Sequence, residues 1–172
     1  MIQRYLSDIK AANAATGAER ETRLQTLEHV LTVGTLLDLC SRLLHERAAV
    51  HDLSKNAPEE LDTFIEMTPK LKGSTYGSDE YKSLLASMKP ALDHHYRENF
   101  SHHPEGNPDG MNSMNLLDMV EMFCDWMAAT RRHANGDIMK SIDINEKRFS
   151  MSPQLAQIFR NTVAMMKAAE AR

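Results

Sequence analysis

The sequence predicts an all-α fold, a single compact domain of about six helices. Strand signals are weak throughout, with few β-branched runs and no alternating segment. Apolar residues instead recur at spacings of three and four in several long windows. Only 7 glycines punctuate the 172 residues. A chain of this length holds one domain with a substantial core and is short for two.

The first helix is expected over about Ile2 to Ala14, followed by a turn at Thr16 and Gly17 and a long helix from about Ala18 to His45. On that helix His29, Val33, Leu36, Cys40 and Leu43 fall in one narrow stripe, which predicts that His29 faces the core. A short helical piece carries Ala48 to Leu53. Pro58 with Glu59 and Glu60 reads as the first turn of a further helix, because proline tolerates that position and carboxylates favour the positive end of the dipole. This helix is expected to end before Pro69. Lys72 to Ser78 has turn chemistry suited to a connector or to a mobile cover over a site. Ser78 caps a helical region from Asp79 to about Asn99, kinked or broken near Pro90. Phe100 to Asn112, rich in His, Pro, Gly and Asn, is too polar for core. Ser113 to about Ala134 reads as a strong helix, and Ser152 with Pro153 starts a last one.

Composition narrows the function classes. The formal net charge is -4 with acidic and basic residues interspersed, so no footprint for non-specific nucleic-acid or anionic-membrane binding is present, and a small-molecule partner fits better. Cys40 and Cys124 are far apart without CxxC spacing, which predicts reduced, buried thiols. No apolar run approaches the roughly 18 residues of a membrane span, and the amphipathic N-terminus is unlike a signal peptide, so a cytoplasmic location is expected.

The chemistry is concentrated in four places. His29 alone reads equally as a hydrogen-bonded core residue. In Ala48-Ala49-Val50-His51-Asp52-Leu53-Ser54-Lys55 an imidazole and a carboxylate stand side by side, offering nitrogen and oxygen to one or two cations. Asp93-His94-His95 and His102-His103-Pro104-Glu105 place 4 of the 8 histidines close together, as metal ligands or as a solvated polar stretch. On the helix through Met114 to Met127, Leu116, Val120, Phe123, Cys124 and Met127 form an apolar face. Asp118, Glu121 and Asp125 lie within about 60° of one another on the opposite side. Three such carboxylates repel unless a cation or proton intervenes, and the only basic residue on their stripe is Arg132. A wet helix face is the other reading.

Read together, His29, the pair His51-Asp52, the His-rich stretch and Asp125 resemble the H…HD…D pattern of the HD-domain metal-dependent phosphohydrolase superfamily. The resemblance covers about 25–135, with about 136–172 as a C-terminal helical extension. HDLSK, HHPE and EMFCDWMAA are most similar to an uncharacterised subgroup known from bacteria and their phages. The resemblance implies an HD-type fold with His29, His51, Asp52 and Asp125 at a first metal site. It implies His95 and His103 at a second site bridged by Asp52, with His94, His102, Asp118 and Glu121 as alternates. The two histidine pairs lie closer together than in other dinuclear members. One or two divalent ions are implied, Mn, Fe, Co, Ni or Zn, with Mg also compatible. Lys55 matches the HDxxK form in which the Lys faces a substrate phosphate; Arg97 and Arg132 are further substrate-binding candidates. Asp52 and Lys55 would be catalytic, in hydrolysis of a phosphate ester or anhydride of a small nucleotide.

Two other classes stay open. A six-ligand His/Asp set also suits an HD-fold dinuclear-iron oxygenase. A non-catalytic, metal-stabilised helical binding module would use Met111, Met114, Met119, Met122 and Met127 as an adaptable surface, unless these fill the core. Homo-oligomerisation is left open by the sequence.

Overall fold

A computed structural model describes residues 2–75, 77–132 and 136–171, and among them the chain is all-α with no strand. Its eight α-helices are α1 (Ile2–Ala14), α2 (Gly17–Val50), α3 (Pro58–Gly73), α4 (Asp79–Ser87), α5 (Lys89–Glu98), α6 (Leu116–Arg131), α7 (Ile138–Arg148) and α8 (Pro153–Glu170). Short 3-10 turns occupy Leu53–Asn56, Pro104–Gly106 and Gly110–Ser113. No helix among the described residues is long and apolar enough to cross a membrane. The chain divides into two compact units, Met1–Glu46 and Arg47–Arg172.

The first unit holds α1 and most of α2. Gly17, at φ 56°, takes the left-handed conformation where the chain passes from one helix to the other. The expected inner stripe of α2 is not buried. His29 and Cys40 are exposed, Leu36 is 56% exposed, and no residue of α2 is buried. Leu31, Val33, Leu36, Leu37 and Leu39 put apolar side chains on every side of the helix, so one stripe does not define an inner face. The expectation of buried thiols also fails, since Cys40 and Cys124 are both free and exposed.

The second unit has its core between α6, α7 and α8: Met122, Phe123, Met127, Ile138, Ile142, Phe159 and Val163 are buried there. Phe123 stacks on Phe159 with centroids 5.0 Å apart, and Trp126 meets Phe159 edge-on at 5.8 Å. Each such side chain contributes about 1.5–3 kcal/mol by leaving water. Met111, Met114 and Met119 pack against the same core, where flexible thioethers fill its edges. Two positions expected on the apolar face of α6, Leu116 and Cys124, are exposed instead.

Several boundaries differ from expectation for local reasons. Residues 48–50 continue α2, and a 3-10 turn replaces the rest of the expected helical piece. α3 runs through Pro69 to Gly73; Ile65, whose carbonyl loses the hydrogen bond that proline cannot donate, is 63% exposed, so solvent can reach that side of the helix. α4 and α5 are separated at Met88, fully buried, with Pro90 in the first turn of α5. α6 starts at Asn115, whose Oδ1 accepts from the Leu117 and Asp118 amides while Asp118 Oδ2 accepts from Asn115 N at 2.8 Å. Ala134, its expected end, lies outside the described residues, as does Tyr76 of the expected cover segment. α7 falls within the expected C-terminal helical extension, which the sequence reading does not divide into two helices, although Asp137 caps α7 and Ile138 and Ile142 stand four apart.

Candidate metal centre

The site lies wholly within the second unit, where four segments converge. The end of α2 supplies Arg47 and the turn after it His51 and Asp52; α5 supplies His94 and His95; the following loop supplies His102 and His103; α6 supplies Glu121 and Asp125. Asp52 sits at φ 59°, ψ 11°, a left-handed conformation that aspartate tolerates better than most residues at a cost of about 1 kcal/mol. Lys55, three residues on, donates through Nζ to Asp52 Oδ2. Gly106 brings the histidine loop against α5. A Cβ there would stand 2.0 Å from the Tyr96 carbonyl oxygen and 2.9 Å from its carbon. Arg148 donates to Glu105 at 2.5 Å and ties the loop to α7.

Two groups of inward atoms result. In the first, Asp52 Oδ1 is 3.2 Å from His95 Nε2 and 3.2 Å from His102 Nε2, and the Nε2 atoms of His95 and His103 are 3.0 Å apart. In the second, His51 Nε2 is 3.7 Å from Asp125 Oδ1, and His102 belongs to both groups; Asp52 Oδ2, of the first group, is also 3.7 Å from His51 Nε2. Within each group the candidate ligand atoms lie within 4.8 Å of one another. Two ring nitrogens that face each other at 3.0 Å can share one proton between them, so at least one presents a bare lone pair. Imidazole nitrogens converging with carboxylate oxygens are the donor set of a divalent transition ion, and this buried cluster can hold one.

An outer layer orients these rings. Glu121 Oε1 accepts from His51 Nδ1 at 3.0 Å, and Arg47 Nη1 reaches Glu121 Oε2 at 3.0 Å and Asp118 Oδ1 at 2.7 Å. His102 Nδ1 is 3.1 Å from Glu121 Oε1 but off the hydrogen-bonding direction, leaving it without a bond among the described residues. On the other side Glu60, 0% exposed, faces His94 Nδ1 at 2.8 Å and His95 Nδ1 at 3.0 Å. Ser54 Oγ and Asn99 Nδ2 lie 3.1 Å from the same His95 nitrogen.

The electrostatics sort protons within the cluster. His51 is raised to about 9, first by Asp125, against the opposing effect of burial, and then by Glu121 and Asp52. Burial pushes His103 down to about 3, helped by its neighbours His102 and His95, so its ring is neutral. Burial alone would raise Asp52, but His102, His95 and Lys55 outweigh it and hold the carboxyl well below its usual range. Asp125 and Glu121 are lowered as well: burial opposes this in each, and the His51 hydrogen bond leads the effects that overcome it.

Of the residues expected from sequence, His51, Asp52, His95, His103 and Asp125 come together, and the alternate His102 joins them. His94 turns to Glu60 instead. Asp118 and Glu121 are engaged by Arg47, which is the cation that their repulsion called for. His29 is exposed in the first unit and belongs to neither group. Arg97 is exposed and pairs with Glu98, and Arg132 is exposed at the end of α6. Neither forms an ion pair or hydrogen bond with the cluster among the described residues. Arg47, Glu60 and Asn99 were not anticipated. Arg47 precedes His51 by four residues and Asn99 follows His95 by four, about one helical turn at the ends of α2 and α5.

No curated protein and no solved structure matches the chain. A family model does match, over residues 18–165, and on that extent the chain belongs to the family of unknown function DUF5662.

Proposed function

We propose that the chain is a metal-dependent phosphohydrolase that cleaves a phosphate ester or anhydride of a small nucleotide. The observation that carries this reading is the convergence of six inward donors, His51, Asp52, His95, His102, His103 and Asp125, beside the ammonium of Lys55. A bound divalent ion would bring the pKa of a coordinated water toward neutrality and polarise a phosphoryl oxygen. Asp52 stays ionised and anchors the donor set through Oδ1 while Oδ2 holds Lys55. Lys55 keeps 29% of its side chain exposed, so its charge can pass from Asp52 to an incoming phosphate oxygen. His51 and Asp125 hold the opposite edge at 3.7 Å. The resemblance to the HD superfamily supports the reaction type, and the net charge of -4 favours small nucleotides over polymers.

A second reading, a dinuclear-iron oxygenase, draws on Asp52, whose Oδ1 is 3.2 Å from His95 and His102 while its Oδ2 is 3.7 Å from His51, a placement that suits a carboxylate between two adjacent ions. The two are separated by screening phosphate release from nucleotides with Mn²⁺, Mg²⁺, Co²⁺ and Fe²⁺ under anaerobic conditions. Hydrolysis requires release without dioxygen and its loss in Asp52→Ala. Turnover that needs both iron and dioxygen, with no phosphate released, refutes hydrolysis.

A further inference from the structure

We infer that Glu60 is a positioning residue, a carboxylate clamp that holds His95 in the tautomer whose bare Nε2 faces Asp52 and His103. The inference rests on the metal centre proposed above and not on the reaction assigned to it.

Glu60 is fully buried, and among the described residues its ion pairs are with His94 and His95 alone. Each carboxylate oxygen faces one ring: Oε1 meets His94 Nδ1 at 2.8 Å and Oε2 meets His95 Nδ1 at 3.0 Å. A carboxylate only accepts, so both contacts place a hydrogen on Nδ1. In a neutral ring that leaves Nε2 with its lone pair free. For His95 this atom is the one 3.2 Å from Asp52 Oδ1 and 3.0 Å from His103 Nε2.

At Nε2, Asp52 Oδ1 lies 3.2 Å away but takes its hydrogen bond from His102 Nε2, and His103 Nε2 at 3.0 Å is placed to donate, so neither requires a hydrogen there. The neighbours of Nδ1 do not reverse the assignment either. The amide of Asn99 has two hydrogens, and these are directed at the His95 carbonyl oxygen at 2.9 Å and at Ser54 Oγ at 2.6 Å. None remains for His95 Nδ1. Ser54 Oγ, occupied by Asn99, can accept a share of the Nδ1 hydrogen alongside Glu60. A ligating imidazole whose second nitrogen donates to a carboxylate is oriented, made more basic and fixed in its tautomer by that contact. His94 has the second role: it occupies the other oxygen, so that the carboxylate is satisfied on both sides while out of contact with water. A Glu60 that merely joined α3 to α5 would serve equally with a proton of its own, donated to one of the rings.

The two cases differ in a quantity read without metal. In full-length, metal-free protein with ¹⁵N-labelled histidine, long-range ¹H–¹⁵N spectra at a pH where both rings are neutral are expected to show His94 and His95 with the hydrogen on Nδ1. Glu60→Gln keeps the shape but offers one acceptor and one donor, so one ring must move its hydrogen to Nε2. Titration with Mn²⁺ or Co²⁺ is expected to show affinity lowered by about 10–100-fold. His95 carrying its hydrogen on Nε2 in the wild type overturns the inference, as does equal affinity in the wild type and a folded Glu60→Gln. If Glu60→Gln does not fold, as read by circular dichroism, the wild-type tautomer alone decides. A wild-type chain that takes up neither ion overturns the metal centre and this inference together. That result is distinguished by being read before any substitution is made.

Discussion

The most direct quantitative consequence of the site concerns the proton on His51. In the folded, metal-free chain its imidazole titrates at about 9, held up first by Asp125 against the cost of burial. In an unfolded chain it titrates near 6.5. The folded value is the higher one, so this group's contribution to stability is fully present below about 6.5 and is lost as the pH rises through about 9. Metal binding has the opposite dependence, because an ion must displace that proton to use Nε2. At pH 7 a group titrating at about 9 is protonated in all but about one molecule in a hundred. Raising the pH from 7 to 9 therefore strengthens metal binding through this group by about 50-fold, against less than about twofold for an ordinary histidine. The assay is a histidine-ring NMR titration of metal-free protein, paired with calorimetric Mn²⁺ binding in two buffers of different ionisation enthalpy. The His51 share of proton release, taken as the difference from His51→Gln, should be about one at pH 7 and about half at pH 9. A His51 midpoint near 6.5, with a share of about a quarter at pH 7, refutes the reasoning.

Lys55→Met should leave metal content unchanged and reduce kcat/KM for phosphate release by about 10–100-fold, the size expected for losing a charge-assisted hydrogen bond to a phosphate. Gly106→Ala forces a methyl group onto the Tyr96 carbonyl and should cost about 1–3 kcal/mol or more in urea unfolding, with weaker metal binding because His102 and His103 ride on that loop. Phe159→Ala removes a side chain that stacks on Phe123 and meets Trp126, so a loss of about 3–5 kcal/mol is expected, and a loss under 1 would mean that α8 is not packed as described. Chelation should lower the thermal midpoint: an ion present at a hundred times its Kd stabilises the folded chain by about 2.7 kcal/mol, and an unchanged midpoint would count against ion binding.

What the sequence disclosed follows from the range of the interactions involved. Helices are local, and three- and four-residue apolar spacing located most of them, with caps at Ser78 and Ser152 placed correctly. The pair His51-Asp52 and the clustered histidines were legible because ligands of one type crowd together along the chain. Glu60 was not. Its carboxylate at the start of α3 has an adequate local explanation in the helix dipole, and its real partners stand 34 and 35 residues away. Arg47 was hidden in the same way, since its carboxylates on α6 are more than 70 positions distant. The expected burial of His29 fails for the converse reason. A stripe identifies an inner face only when the other faces are polar, and α2 carries leucines all round. His94 and His95 show a third limit: adjacent residues on a helix point about 100° apart, and only packing against α3 decides which of them turns inward.

The charge arrangement explains how this buried cluster can hold a metal ion. Five carboxyl groups, Asp52, Glu60, Asp118, Glu121 and Asp125, converge there, and the fixed cations among their partners are Arg47 and Lys55. Burying such an excess is costly unless it is balanced. Arg47 takes up Asp118 and Glu121, the outer pair, and Lys55 takes one oxygen of Asp52. What remains negative is the inner edge, Asp52 Oδ1 and Asp125, facing His51, His95, His102 and His103. The metal-free chain keeps a proton on His51, held to about 9 by that same negative edge. His103 stays neutral, first because burial disfavours its charged form and then because His102 and His95 stand beside it. A proton supplies one positive charge at the His51 edge. A divalent ion supplies two and can take lone pairs from several of the inward nitrogens at once. The raised pKa of His51 is thus the answer of the chain to that negative edge, whereas burial outweighs the same carboxylates at His103 and leaves its lone pair open to a cation.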